Sequence, residues 1–131
     1  MLDTHIIIWA LLDEGDLSQK ARQMILDPSN TFFYSPVSTW EVFLKHRRRP
    51  ENMGMDVPDF IDCCQDTGFI PLNLSDKHVA AVMSLSRPEG APEHNDPFDK
   101  LLLAQAKAEN IMFMTHDSKM SFYNEPCVLC V

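Results

Sequence analysis

Apolar residues recur along the chain in two alternating patterns: short continuous runs that suit buried strands, and helical spacings between them. Leu2 ends a very short first strand, and a helix follows from about His5 to Leu12. Leu17 and Ser18 open a second helix with Ala21, Met24 and Ile25 on one face, and Asp27-Pro28-Ser29-Asn30 ends it by turn chemistry. Thr31 to Tyr34 is β-branched and aromatic, as a strand should be. Ser35, Pro36 and Ser38 then start a helix that runs to about Arg49, where Pro50 stops it.

The remaining chain repeats the alternation. A helix is predicted over Asp56 to Gln65 with Pro58 in its first turn, then a short strand over Phe69 to Leu72. Ser75 to Ser84 reads as a helix with Val79, Val82 and Met83 inside. Arg87 to Asn95 is a polar loop. Asp96-Pro97 begins the strongest helix, which carries Phe98, Leu101, Leu102, Leu103, Ala104, Ala106 and Ala108, and Asn110 is a left-handed stop. Ile111 to Thr115 and Cys127 to Val131 are the last strands. Strands that alternate with helices predict an α/β fold with a parallel sheet.

The length of 131 residues predicts one domain over 1–131, and 45% hydrophobic residues can build a core. The run from Ile6 to Leu12 is too short to span a bilayer. It also lacks the basic front and small-residue cleavage site of a signal peptide, so a cytoplasmic protein with no membrane association is expected. Net charge −8 argues against capture of nucleic acid by a basic face. Carboxylates clustered around cations would reconcile the two. Cys127 and Cys130 have zinc-like spacing that Cys63 and Cys64 can complete, but four small buried apolar residues in a reducing compartment are the simpler account.

Four acids occupy equivalent places in this pattern. Asp3 follows the first strand, Glu41 lies early in the helix after the second, Asp99 lies in the first turn of the strongest helix, and Asp117 comes two residues after the strand ending at Thr115. Ligands of open parallel sheets bind beyond the carboxyl ends of the strands, so these carboxylates can converge. Each also has a structural explanation. Acids at helix starts complement the dipole by about 0.3–1 kcal/mol. Ser38 and Glu41 form a capping-box pattern, and Asp96 is read first as a natural N-cap and otherwise as an auxiliary residue of the site. Asp117 can cap a short helix through Met120. Jointly, four acids on one edge repel unless a hard divalent ion with oxygen ligands neutralises them.

Four segments carry a resemblance to the PIN-domain family and, within it, to the bacterial VapC-type toxins. They are Leu2-Asp3-Thr4-His5 before an apolar run containing Trp9; Val37 to Val42; Asp96-Pro97-Phe98-Asp99-Lys100 through Ala106; and Met114-Thr115-His116-Asp117. They occur in family order, span nearly the whole chain, and the third is the most specific. The resemblance implies a PIN-like fold with a five-stranded parallel sheet flanked by helices. It implies metal ligands at Asp3, Glu41, Asp99 and Asp117, with Mg²⁺ or Mn²⁺ as cofactor. It further implies an endoribonuclease that cuts structured RNA such as tRNA, and a homodimer held inactive by a cognate antitoxin protein. The sequence departs from the family in having only Met1 and Leu2 before Asp3, and in carrying His116 where the family often has Arg.

Other residues are read beside these. Thr115 either holds a carboxylate or phosphate by its hydroxyl or packs at a strand end. His5 begins a helix with its ring partly buried. His46-Arg47-Arg48-Arg49 is the basic cluster, read as a solvated helix end or an RNA guide. Trp9 and Trp40 are assigned to the core. Two rival classes stand against the nuclease: a catalytically silent PIN-fold RNA-binding or adaptor module, and a phosphatase on another parallel-sheet fold. The second lacks the further Asp near Asp3 and any Gly-rich phosphate loop.

Overall fold

The computed structural model describes residues 1–12, 16–48 and 54–131. The expected stop at Pro50, and Arg49 of the basic cluster, lie outside the described residues.

The elements in chain order are α1 (Thr4–Leu12), α2 (Gln19–Leu26), β1 (Phe33–Tyr34), α3 (Pro36–Arg48), α4 (Val57–Asp66), β2 (Ile70–Pro71), α5 (Asp76–Ala81), α6 (Pro97–Ala108), β3 (Phe113–Thr115) and β4 (Val128–Cys130). One-turn 3₁₀ helices at Val82–Ser84 and Ser118–Phe122 fall after α5 and β3. The starts follow local chemistry. Ser18, Asp56 and Asp96 cap α2, α4 and α6 by accepting backbone N–H groups, with Pro58 at the second position of α4 and Pro97 at the first of α6. Asn110 ends α6 in the left-handed region at φ 55°, with the Ile111 N–H returning to the Ala106 carbonyl.

The strands are parallel and short. β1 pairs with β2 (Phe33 opposite Ile70), and β3 pairs with β4 (Phe113 opposite Val128). Residues 1–3 lie between the two pairs: the Leu2 N–H donates to Phe33 O and the Asp3 N–H to Met114 O, both at 2.9 Å. Leu2 itself forms an isolated parallel bridge with Met114. Among the described residues the expected sheet is therefore two parallel pairs with a bridge between them.

Alternation along these segments divides the apolar interior into two layers. Leu2 and Met114 pack with Ile6, Ile7, Ala21, Val42, Phe60 and Phe69 under α1, α2 and α4. Met1 and Phe113 face the other way, onto Leu102, Leu103, Ala106, Met120 and Tyr123. Ladders of two or three residues offer few backbone bonds. Each fully buried large side chain contributes about 1.5–3 kcal/mol, so these two layers, more than the ladders, hold the strand ends in register.

Four packing expectations change. Val79 and Met83 are exposed, and His78 is the residue α5 buries, because its ring closes the helix cap and meets Glu109 at 2.6 Å. Trp40 is 54% exposed and stacks on Phe43 over an apolar groove, outside the core. His5 has an exposed ring. Only Cys64 of the four cysteines is fully buried, and among the described residues no cysteine joins a metal-competent cluster.

Candidate metal centre

The carboxyl ends of residues 1–3 and of β3, together with the start of α6, surround a cavity of about 420 Å³. Asp3, Asp96, Asp99 and Asp117 line it, with His5, Trp9, His94, Asn95, His116 and Lys119. Three of the four predicted acids thus meet in one place. Glu41 is absent from the lining, but it is 5% exposed and close enough that its charge raises the pKa of both Asp3 and Asp99.

Each carboxylate is held by a different device. Asp3 is 2% exposed; one oxygen accepts the Thr115 hydroxyl and the other the His5 N–H at 3.2 Å. Thr115 Oγ1 in turn accepts the Asp117 N–H at 3.1 Å, so one hydroxyl ties Asp3 to the Asp117 backbone. Of the two roles open to Thr115, the structure shows the hydroxyl holding a carboxylate. Asp117 divides its oxygens: Oδ1 caps the following 3₁₀ helix through the Lys119 N–H at 2.8 Å, while Oδ2 lies 3.5 Å from His94 Nε2. Capping and site-forming roles therefore coexist in one residue. Asp96 accepts the Phe98 N–H at 2.8 Å and the Asp99 N–H at 3.4 Å, which places the Asp99 carboxyl at the cavity wall.

The capping-box reading of Ser38 and Glu41 does not hold. Ser35 caps α3 by accepting the Val37 N–H, and Ser38 lies inside the helix, where its hydroxyl accepts that of Thr4. Glu41 is left to its own chemistry. Its Oε1 pairs with Lys45 Nζ at 2.8 Å, and its buried Oε2 has no partner.

The electrostatics follow from this crowding. Burial, and then the charges of Asp3, Asp96, Glu41 and Asp117, push the Asp99 carboxyl up to about 8. Burial likewise raises Asp3, against the opposing Thr115 hydrogen bond and His5. Burial lowers His94 despite the pull of Asp117. A group of buried acids that resists ionisation, beside a carboxylate oxygen with no donor, fits a hard divalent cation.

Three side chains here were not singled out by sequence: His94, Tyr123 and Lys45. His94 Nε2 stands 3.1 Å from Asp99 Oδ2, and Nδ1 stands 3.0 Å from Tyr123 Oη. A signal existed, since His94 precedes Asp99 by five residues and lies two residues ahead of the most specific segment. Helical periodicity could not show it, because His94 sits in a loop. Lys45 bridges Glu41 and His5, with Nζ 2.9 Å from His5 Nε2. His46, Arg47 and Arg48 occupy the last turn of α3, as a solvated helix end would, and do not line the cavity.

Thr115→Val should show how far the site depends on one hydroxyl. The substitution keeps the shape and removes a donor to a buried carboxylate, which costs about 1–3 kcal/mol. We expect a lower melting temperature and weaker divalent-ion binding, both restored in Thr115→Ser. Equal stability of Thr115→Val and the parent in calorimetry would contradict this account.

Parallel strands between helices, with acids gathered at their carboxyl ends, define an α/β protein with an acidic strand-end site. The PIN domain family model matches residues 1–125, and the chain belongs to the PIN-domain family. Among solved structures, the chain resembles VapBC2 from Rickettsia felis bound to a DNA fragment from its promoter, with TM-score 0.68 and 17% identity over 100% of this chain and 96% of that one. It also resembles a toxin-antitoxin complex from Klebsiella pneumoniae, with TM-score 0.60 and 18% identity over 98% and 93%. At such identities the likeness shows the fold. Comparison with curated proteins gives no match. Among the described residues, no helix is long and apolar enough to cross a membrane.

Proposed function

We propose that this chain is a single-domain, metal-dependent endoribonuclease, the VapC-type toxin of a toxin–antitoxin pair, acting in the cytoplasm. The observation that carries this reading is the meeting of Asp3, Asp99 and Asp117 in one cavity, with the buried charge of Glu41 beside them. Both solved structures described above are of toxin–antitoxin assemblies, which supports an antitoxin as partner. The family resemblance supports a homodimer and a five-stranded sheet completed around the central segment.

In this reading Asp3, Asp99, Glu41 and Asp117 hold Mg²⁺ or Mn²⁺. Thr115 orients Asp3, and Asp96 sets the start of α6 so that Asp99 faces the cavity. A bound cation supplies Lewis-acid polarisation of the phosphoryl oxygen and a more acidic water. It also offsets the negative wall that would otherwise repel the RNA backbone of a chain with net charge −8.

The test is the chemistry of the RNA ends. Water delivered in line leaves 5′-phosphate and 3′-hydroxyl ends, whereas attack by the neighbouring 2′-hydroxyl leaves a cyclic phosphate. An RNA pool incubated with the protein should give 5′-phosphate ends. Cleavage should stop in EDTA and return with Mg²⁺ or Mn²⁺, and a 2′-deoxy at the cut site should still pass the chemical step. Cyclic phosphate ends, or full activity in EDTA, would overturn the mechanism.

A further inference from the structure

His94 places a buried ring nitrogen among the carboxylates of the cavity, which His5 and His116 also line. It sits in the loop before α6 with a side chain only 3% exposed, and Nε2 is directed at two different carboxylates, Asp99 Oδ2 at 3.1 Å and Asp117 Oδ2 at 3.5 Å. A single N–H has one direction and serves one acceptor well. Its second near neighbour gains little and adds to the negative crowding. Among the described residues, His94, Asp99 and Asp117 form the group whose ligand atoms all lie within 4.8 Å of one another. Adjacent ligand atoms around a cation with bonds of about 2.1 Å stand about 3.0 Å apart. The two separations from His94 Nε2, 3.1 and 3.5 Å, are near that spacing.

The other side of the ring is prepared as well. Nδ1 lies 3.0 Å from the hydroxyl of Tyr123, which is 6% exposed. Ligating imidazoles characteristically donate their second N–H to a fixed acceptor, which sets the tautomer. A tyrosine hydroxyl can both donate and accept, so it serves His94 with either nitrogen protonated. Arg87 lies over the Tyr123 ring at 5.0 Å and bonds the Pro92 carbonyl, which fixes the loop that carries His94.

We propose that His94 Nε2 is a nitrogen ligand of the same divalent-cation site, oriented by Tyr123, and that it biases the site towards Mn²⁺ over Mg²⁺. The inference rests on the carboxylate–metal reading above. Mg²⁺ keeps oxygen ligands and sheds water reluctantly, so it gains little from a nitrogen donor; Mn²⁺, a transition ion that also favours oxygen, accepts one imidazole among carboxylates more readily. Tyr123 is a positioning residue and touches the ring only.

The test is electron spin-echo spectroscopy of Mn²⁺ added to the intact protein, beside titration calorimetry with Mn²⁺ and Mg²⁺. We expect a nitrogen coupled to the bound Mn²⁺ in the parent. In His94→Gln the coupling should vanish, Mn²⁺ affinity should fall about tenfold or more, and Mg²⁺ affinity should change less than about threefold. Tyr123→Phe should keep the coupling and weaken Mn²⁺ binding about tenfold. His5 and His116 also line the cavity, so the double variant His5→Gln, His116→Gln should retain the coupling; this arm assigns His94 even if His94→Gln does not fold. Bound Mn²⁺ with no coupled nitrogen, or coupling that survives His94→Gln, would overturn the role of His94 and leave the carboxylate site standing. Failure of the folded parent to bind Mn²⁺ would overturn both.

Discussion

Asp99→Asn is expected to abolish RNA cleavage while leaving the protein folded. The substitution removes a cation-binding carboxyl from the cavity wall, and losing about 4 kcal/mol of transition-state stabilisation slows a reaction on the order of a thousandfold. The same variant should be more stable than the parent in EDTA. In the parent, the Asp99 carboxyl is pushed up to about 8 from the ordinary aspartate value of 3.8. Between these values the folded state holds a proton that the unfolded state has released. Stability is therefore fully present below the unfolded value and is lost as pH rises through the folded one. Asparagine has no proton to lose. The melting temperature of the variant should overtake that of the parent as pH rises from about 5 towards 8. The buried Met1 amino group, lowered to about 6, acts in the opposite sense but is common to both proteins. Asp96→Asn is the control: asparagine caps a helix about as well as aspartate, so activity and stability should change little. Activity lost in Asp96→Asn and kept in Asp99→Asn would reverse the assignment.

Millimolar Mg²⁺ or Mn²⁺ should raise the melting temperature of the parent by on the order of 10 °C. A cation that binds only the folded state adds RT ln(1 + [L]/Kd), about 2.7 kcal/mol at a hundredfold excess over Kd. For a chain of this size that is several degrees per kcal/mol. Relief of the crowding that raises both Asp3 and Asp99 is one of the contributions to that Kd. Asp3→Asn should blunt the rise. The quadruple variant Asp3→Asn, Glu41→Gln, Asp99→Asn, Asp117→Asn should lose it. Equal cation-induced shifts in the parent and the quadruple variant, followed by scanning calorimetry, would rule out a shared site.

The sequence and the structure differ most where side chains from distant segments meet. Ser18, Asp96, Asp117 and Asn110 could be assigned from sequence because caps and left-handed stops act over a few residues. Asp3, Asp99 and Asp117 could be placed on one edge because strand ends and the following helix starts share it in a parallel sheet. Ser38 and Glu41 misled for a related reason: a capping-box pattern is local, but Ser35 stands nearer the true helix start and takes the cap. Trp40 was placed inside because large aromatics are usually buried, yet burial is decided by what packs opposite, and here an open groove lies there.

The chain's own order of residues determined the alternation of strand and helix, the helix caps, and the presence of acids behind strand ends, since each depends on periodicity or on contacts within one turn. Only the tertiary structure decided that Thr115 fastens Asp3, that Glu41 keeps one oxygen unpartnered, and that His94 stands between Asp99 and Asp117 with Tyr123 behind it. Those contacts join residues up to 112 positions apart. Their geometry is set by how two apolar layers close on a few short strands, which no local pattern encodes.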